Sequence, residues 1–328
     1  MGRAIRRLAG CFTDTRIVIA LMVIAACVGA GYLMSWPEDE DHWPPSPKSF
    51  ESGWFLPAAV IALGGGFHHV EPSREPALMD FLYVERMGLS RDDLKHDLTP
   101  TPATDLSRRH IYLYWTTGLF WLLFGMTWGV TKVQLVVFFS ITVALVYGLF
   151  RLGMPRLFAA AGALLFALAP YVVCMLPVLR DFSKAPFLLG LLLLLGYLVA
   201  RPVSPRRLAW LSLLGGVLVG VGLGFRHDSL ICLPAALAVV LLGLRRGEGI
   251  GLRHRLLAAV LLLVGFGITA APVLRSVEES GEPSYLHVLT GLSAAACDEL
   301  GLGRASYERM YMSNAALVDA RHVSYAQR

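Results

Sequence analysis

The stretch Ile111 to Val130, IYLYWTTGLFWLLFGMTWGV, carries no charge and seven aromatic residues: Tyr112, Tyr114, Trp115, Phe120, Trp121, Phe124 and Trp128. It has the length of a membrane span, since a hydrocarbon core of ~30 Å takes about 20 residues at ~1.5 Å each. Its Tyr and Trp content instead favours the membrane interface, where an apolar ring sits in lipid and a polar edge in water. The choice decides the fold, because it sets the direction in which every later helix crosses.

Seven other apolar stretches are candidate spans: Ile17 to Met34, Val133 to Phe150, Leu157 to Val178, Ala185 to Ala200, Leu208 to Phe225, Ser229 to Leu244 and Leu256 to Leu274. If Ile111 to Val130 lies in the interface, four connections share one side of the membrane. They hold Arg3, Arg6, Arg7 and Arg16, then Arg151 and Arg156, then Arg201, Arg206 and Arg207, then Arg245, Arg246, Arg253 and Arg255. If it spans, the last three fall outside, against the bias of basic residues toward the cytoplasm. The charge pattern therefore predicts an all-α integral membrane protein of about seven transmembrane helices with the N-terminus inside. The first segment is longer than the apolar region of a signal peptide and lacks an A-x-A cleavage site, so it reads as an anchor.

Composition agrees. Of 328 residues, 55% are hydrophobic and 16% charged, with a mean hydropathy of +0.58, whereas soluble domains hold about 25% charged residues. The net charge of +5 conceals an asymmetry: 13 basic and two acidic residues (Asp14, Glu248) give +11 inside, and the remaining 16 basic and 22 acidic give −6 outside. Such a division points away from nucleic acid and toward a lipid bilayer. Cys11, Cys27, Cys174, Cys232 and Cys297 form no close pair, so neither a disulfide framework nor a zinc site is expected.

The resulting organisation is a cytoplasmic N-terminus (1–16), a first span (17–34), a long extracytoplasmic loop (35–132) with an interfacial helix at 111–130, a six-helix membrane core (133–274) and an extracytoplasmic tail (275–328). A loop near 100 residues in a chain of otherwise short connections is expected to be functional. It opens on WPEDEDHWPP, residues 36 to 45, with four consecutive carboxylates. These read either as a solvated acidic loop stiffened by prolines or as the source of a general base at the membrane surface. Phe50 to Phe67 is apolar but interrupted by three glycines, so it is expected in the interface or packed beneath the loop. Ala77 to Met87 reads as an amphipathic helix. His68 and His69 lack a second ligand at i+3 or i+4 and read as polar loop residues.

Two short outer turns carry charges close to the bilayer, which makes them functional candidates by default. One holds Arg180, Asp181 and Lys184; the other holds Arg226, His227 and Asp228. Arg180 and Lys184, if helical, face the same way, and Arg226 offers a planar fork of donors suited to phosphate oxygens. The bland alternatives are cations snorkelling to headgroups, Asp181 paired with Arg180 or Lys184, and Asp228 or Ser229 capping a helix. Because both turns share a face with the acidic loop, an anion-binding site at the outer surface is the stronger expectation.

The run from Ala163 to Arg246, with ALLFALAPYVV, RDFSKAPFLLGLLLLLGYL and RRLAWLSLLGGVLVGVGLGFRHDSLICLPAALAVVLLGLRR, resembles the membrane core of the C-type glycosyltransferases of the protein mannosyltransferase and lipid A aminoarabinose transferase group. Tyr112 to Gly129 is similar to that family's juxtamembrane helix, and the likeness covers roughly residues 110–275. The resemblance implies transfer of a sugar from a polyprenyl-phosphate carrier to an acceptor lipid, glycan or protein on the outer face. It implies an Asp-Glu pair in the first outer loop as the base, for which Asp39 and Glu40 are the nearest match. Arg180, Lys184 and Arg226 then fit the grip on the donor phosphate, with Asp181, His227 and Asp228 in support. Two features depart from the family pattern. Pro44 and Pro45 follow the acidic pair where a helix with a tyrosine is usual, and Arg109-His110-Ile111 replaces a His-Pro-Pro element. Glu71, Glu75 and Asp80 therefore stand as substitutes for the base.

No cofactor is implied, and the ligand spacing does not support a divalent metal. The expected partners are the lipid-linked sugar, membrane lipid and an acceptor, and the expected location is the plasma (bacterial inner) membrane. A multi-pass transporter or lipid flippase would call for charged residues near the midplane and an internal repeat, and neither is evident. A non-catalytic membrane scaffold is the third reading.

Overall fold

In the computed structural model the described residues are 14–35, 55–70, 75–83, 85–94, 98–101, 105–243 and 250–280. The chain divides into two compact units, Met1–Ser276 and Val277–Arg328. The second contributes only the end of the last helix to the described residues. Asp39, Glu40 and Glu71, the N-terminal arginines before Asp14, and the tail beyond residue 280 lie outside them.

The first helix is α1 (Asp14–Ser35). The loop region then forms α2 (Leu56–Ala62), β1 (His69–Val70), α3 (Pro76–Leu82), a 3-10 turn at Arg91–Asp93, β2 (Pro100–Thr101) and α4 (Asp105–Arg109). The membrane core follows as α5 (Ile111–Phe124), α6 (Trp128–Arg151), α7 (Arg156–Leu168), α8 (Pro170–Cys174), α9 (Leu179–Phe182), α10 (Ala185–Ala200) and α11 (Pro205–Phe225). A 3-10 turn at His227–Ile231 leads to α12 (Cys232–Ala238), a π turn at Val239–Gly243 and finally α13 (Leu252–Ser280). Among the described residues the regular structure is helical apart from the two-residue antiparallel ladder of β1 and β2. Helices dominate because backbone amides within a bilayer must find partners inside their own segment.

Among the described residues five segments are long and apolar enough to cross a membrane: Asp14–Ser35, Trp128–Arg151, Leu179–Ala200, Pro205–Phe225 and Leu252–Arg275. The other two expected spans are interrupted. Leu157 to Val178 breaks at Ala169, whose extended backbone (φ −65°, ψ 121°) precedes Pro170; proline removes a donor and crowds the residue before it out of the helical region. Ser229 to Leu244 is a composite of 3-10, α and π turns.

The aromatic stretch also divides. Helix α5 has 14 residues and so rises ~21 Å, short of the ~30 Å hydrocarbon core. It ends at Gly125, whose φ of 94° is costly for any residue with a Cβ. Thr127 then caps α6 by accepting a hydrogen bond from the Val130 amide. One face of α5, with Tyr114, Thr117, Gly118 and Trp121, is buried, while Leu122, Leu123 and Phe124 are exposed.

The described parts of the long loop fold onto the start of α6. Trp128 is fully buried, stacks on Phe81 (ring centroids 5.3 Å) and donates from Nε1 to the Phe81 carbonyl at 2.7 Å. Phe55 meets Tyr114 and Trp128 edge-on at 5.9 and 5.8 Å, and Trp121 donates to the Thr127 carbonyl at 2.9 Å. The glycine-broken apolar segment is thus α2, buried against α5. The expected amphipathic helix at 77–87 stops at Leu82.

At the opposite end of α6, Asp14 accepts from Tyr147 Oη at 2.6 Å and from Arg151 Nε at 3.0 Å, with Arg156 Nε at 3.4 Å. One carboxylate there ties α1 to the end of α6 and the start of α7.

His69 on β1 lies with Nε2 2.8 Å from Ser107 Oγ, and its burial pulls the imidazole below its ordinary pKa. The neutral ring is therefore the folded form, and stability present above the unfolded pKa of about 6.5 is lost as pH falls through the depressed folded value. Amide protection at His69, Val70 and Thr101, corrected for intrinsic exchange, should fall several-fold between pH 7.5 and 5.5. His69→Gln should flatten that dependence; an unchanged slope in the variant would assign the effect elsewhere.

Candidate functional site

The two charged connections singled out from the sequence come together at the loop end of the bundle. Helices α10 and α11 pack against one another, so the residues before α10 and after α11 are neighbours. Phe187 and Phe225 hold them, with ring centroids 4.5 Å apart, and Phe225 also meets Phe138 of α6 at 5.9 Å. Phe182 of α9 packs on Phe139 of α6 at 6.1 Å. Two connections from separate parts of the chain are thereby anchored on the same spanning helix.

On this base stand four charges. Lys184 Nζ pairs with Asp228 Oδ2, and the same oxygen lies 3.2 Å from Arg226 Nε. The other edge of the Arg226 guanidinium pairs with Asp181. All four side chains are partly exposed, Asp228 the most at 45%. Asp181 also pairs across the bundle, because packing of α10 on α11 brings Arg226 to it. Asp228 closes an ion network instead of serving only as a helix cap.

Arg180 and Lys184 do not share one helix. Arg180 belongs to α9, while Lys184 precedes α10, with Ser183 between them in helical conformation and fully buried. Arg180 is half-buried one turn before Lys184. The substitutes for the base divide: Glu75 is buried at the start of α3, whereas Asp80 is half-buried within that helix.

Helix α5 supplies the third wall. His110, 2% exposed, meets His227 with ring centroids 5.7 Å apart at 79°. Tyr112 reaches over Gly224, where an added Cβ would fall on the tyrosine ring, and donates from Oη to the Thr269 carbonyl of α13 at 2.5 Å. From the sequence the aromatic helix is expected at the outer interface, with no role at these turns for His110 or Tyr112. A signal was present in Arg108-Arg109-His110, charges set directly before an apolar helix. Among the described residues no group of three His, Cys, Asp or Glu side chains converges as a metal site would.

The arrangement presents a guanidinium fork and an ammonium from two connections, both directed at one oxygen and bordered by aromatic rings. Such convergence suits an oxyanion with several acceptor oxygens. Residues 109–273, half of the chain, match the family model described as dolichyl-phosphate-mannose-protein mannosyltransferase. The match begins at the residue before His110 and takes in both charged connections. Comparison with curated proteins finds no match, and comparison with solved structures finds none.

Proposed function

The chain belongs to the dolichyl-phosphate-mannose-protein mannosyltransferase family, a multi-pass membrane glycosyltransferase of that type, and from this premise we propose that it moves a sugar from a polyprenyl-phosphate carrier to an acceptor on the outer face of the bacterial inner membrane. The observation that carries the reading is the convergence of Lys184 and Arg226 on one anionic oxygen at the loop end of the bundle.

In this reading the prenyl tail lies between spans, and Arg180, Lys184 and Arg226 hold the phosphate. Asp181, His227 and Asp228 border them. As the bond between the anomeric carbon and the phosphate oxygen breaks, the electron pair stays on that oxygen, and fixed cations stabilise the developing charge. Asp39 or Glu40 accepts the proton of the acceptor hydroxyl, whose oxygen attacks the anomeric carbon from the opposite side and inverts it. The positive-inside distribution of arginines supports the orientation, with the N-terminus and the Asp14 clamp cytoplasmic and the long loop and tail outside.

The test is transfer from a labelled polyprenyl-phosphate sugar by purified protein in vesicles, with envelope lipids and glycans as acceptors. Removing a general base costs about 10²–10⁴-fold, so the Asp39→Asn, Glu40→Gln double variant should lose at least about 10²-fold in rate. Wild-type rates in that variant would pass the base role to Glu71, Glu75 or Asp80. Absence of transfer or of donor cleavage by the wild-type protein would contradict the reading as a whole.

A further inference from the structure

Asp228 stands where a ligand oxygen would stand. Its Oδ2 is shared by Lys184 Nζ and Arg226 Nε, the two cations that a phosphate would have to engage together. With Asp181 on the other edge of Arg226, two positive and two negative side chains form a connected quartet. A phosphate can be gripped by Lys184 and Arg226 only if a carboxylate yields, and the quartet is unequal in this respect. Asp181 sits in α9 between the buried Leu179 and Phe182 and is 31% exposed. Asp228 lies on the short 3-10 turn and is 45% exposed. It is the member with room to move outward.

We propose that Asp228 is an intramolecular stand-in for the phosphate and a specificity-determining residue of the site, favouring the singly charged phosphodiester of the donor over the doubly charged monoester left after transfer; this rests on the phosphate-grip reading above. Exchanging one carboxylate for a diester leaves the charge beside Lys184 and Arg226 unchanged. Breaking the glycosyl bond converts the diester to a monoester, whose second ionisation lies near pH 6, so that it carries two negative charges at pH 8. The displaced Asp228 remains on the same turn and repels the second charge as well as the first. One extra unit charge about 6 Å away, at an effective dielectric of about 40, changes affinity by about tenfold. The carboxylate thus disfavours the spent carrier and reclaims its place as the carrier leaves.

The experiment measures equilibrium binding of two unreactive probes to the full chain in lipid vesicles at pH 8: a prenyl monophosphate and its methyl phosphodiester. Asp228→Asn should tighten the monoester about tenfold more than the diester, while Asp228→Glu keeps the wild-type ratio. In turnover, Asp228→Asn should lower both KM for the donor and kcat, with the monoester becoming a stronger product inhibitor. Should the asparagine variant fail to insert, Asp228→Ser supplies the same comparison. Both probes bound with an unchanged ratio in the neutral variant would overturn the proposal and leave the phosphate grip standing. Wild-type protein that binds neither probe would overturn the grip itself.

Discussion

Arg226→Ala is expected to reduce sugar transfer by about 10³-fold or more, since losing one fixed donor to a developing oxyanion costs about 10²–10³-fold and this site loses more than a donor. The guanidinium pairs with Asp181 on one edge and with Asp228 on the other. Its removal leaves Asp181 and Asp228 without the guanidinium they share and takes one positive charge from the phosphate site. Arg226→Lys restores the charge but not the planar fork, and rescue should be partial. The helix end itself is held by the Phe187–Phe225 contact, which neither variant touches. Expression and thermal unfolding in detergent should therefore stay close to wild type. Near-normal transfer by Arg226→Ala would remove this residue from the site.

Gly216→Val is expected to give the largest loss of stability. A Cβ at Gly216 would fall on the Leu262 carbonyl oxygen and lie 2.8 Å from the Phe266 amide nitrogen; at Gly220 it would meet Thr269 Oγ1 and lie 2.9 Å from the Phe266 carbonyl oxygen. The obstruction is largely backbone of α13, which cannot rotate away as a side chain can. Small residues permit such close crossings, which take the place of hydrophobic drive inside lipid. Overpacking a fitted contact costs about 1–3 kcal/mol and sometimes more, and a backbone collision belongs at the upper end, about 3 kcal/mol. Gly267→Ala is the control, because nothing lies within 4 Å of its added Cβ. Unfolding in mixed micelles should shift strongly for the first variant and little for the second. Equal behaviour would mean that α11 and α13 do not cross at these glycines.

Gly216→Val also bears on the site. Tyr112 bridges Gly224 of α11 and Thr269 of α13, so separating the two helices should loosen α5 and carry His110 away from His227. A loss of transfer that follows a loss of stability is the expected signature.

What could be read from the sequence depended on range. Hydropathy alone marked α1, α6, α10, α11 and α13, because a span needs only a run of apolar residues. The separation of α5 from α6 was legible in aromatic content and in the arginine pattern, and the structure adds its cause in Gly125 and the Thr127 cap. The proline break at Ala169 carried a local signal in Ala-Pro, yet the apolar run continued past it and masked it. The charged turns were expected on one face of the membrane, but their side-chain partners were not legible. Lys184 and Asp228 are 44 positions apart, and only the packing of α10 on α11 makes them meet. Cations that stood out as exposed phosphate ligands are instead matched with carboxylates, which alters how a phosphate has to enter. Tyr112 was one aromatic among seven until Gly224 provided the space it fills.

In the proposed function, Lys184 and Arg226 form the phosphate site for a lipid-linked sugar. The most direct test of this assignment is an experimental structure of the full chain with an unreactive prenyl-phosphate sugar analogue. Phosphate oxygens should lie within hydrogen-bonding distance of Lys184 Nζ and the Arg226 guanidinium, with Asp228 displaced from both and the anomeric carbon facing the long loop. A phosphate bound elsewhere, for example among Arg151, Arg156 and the Asp14 clamp at the other end of α6, with the Lys184–Asp228–Arg226 network intact, would contradict it.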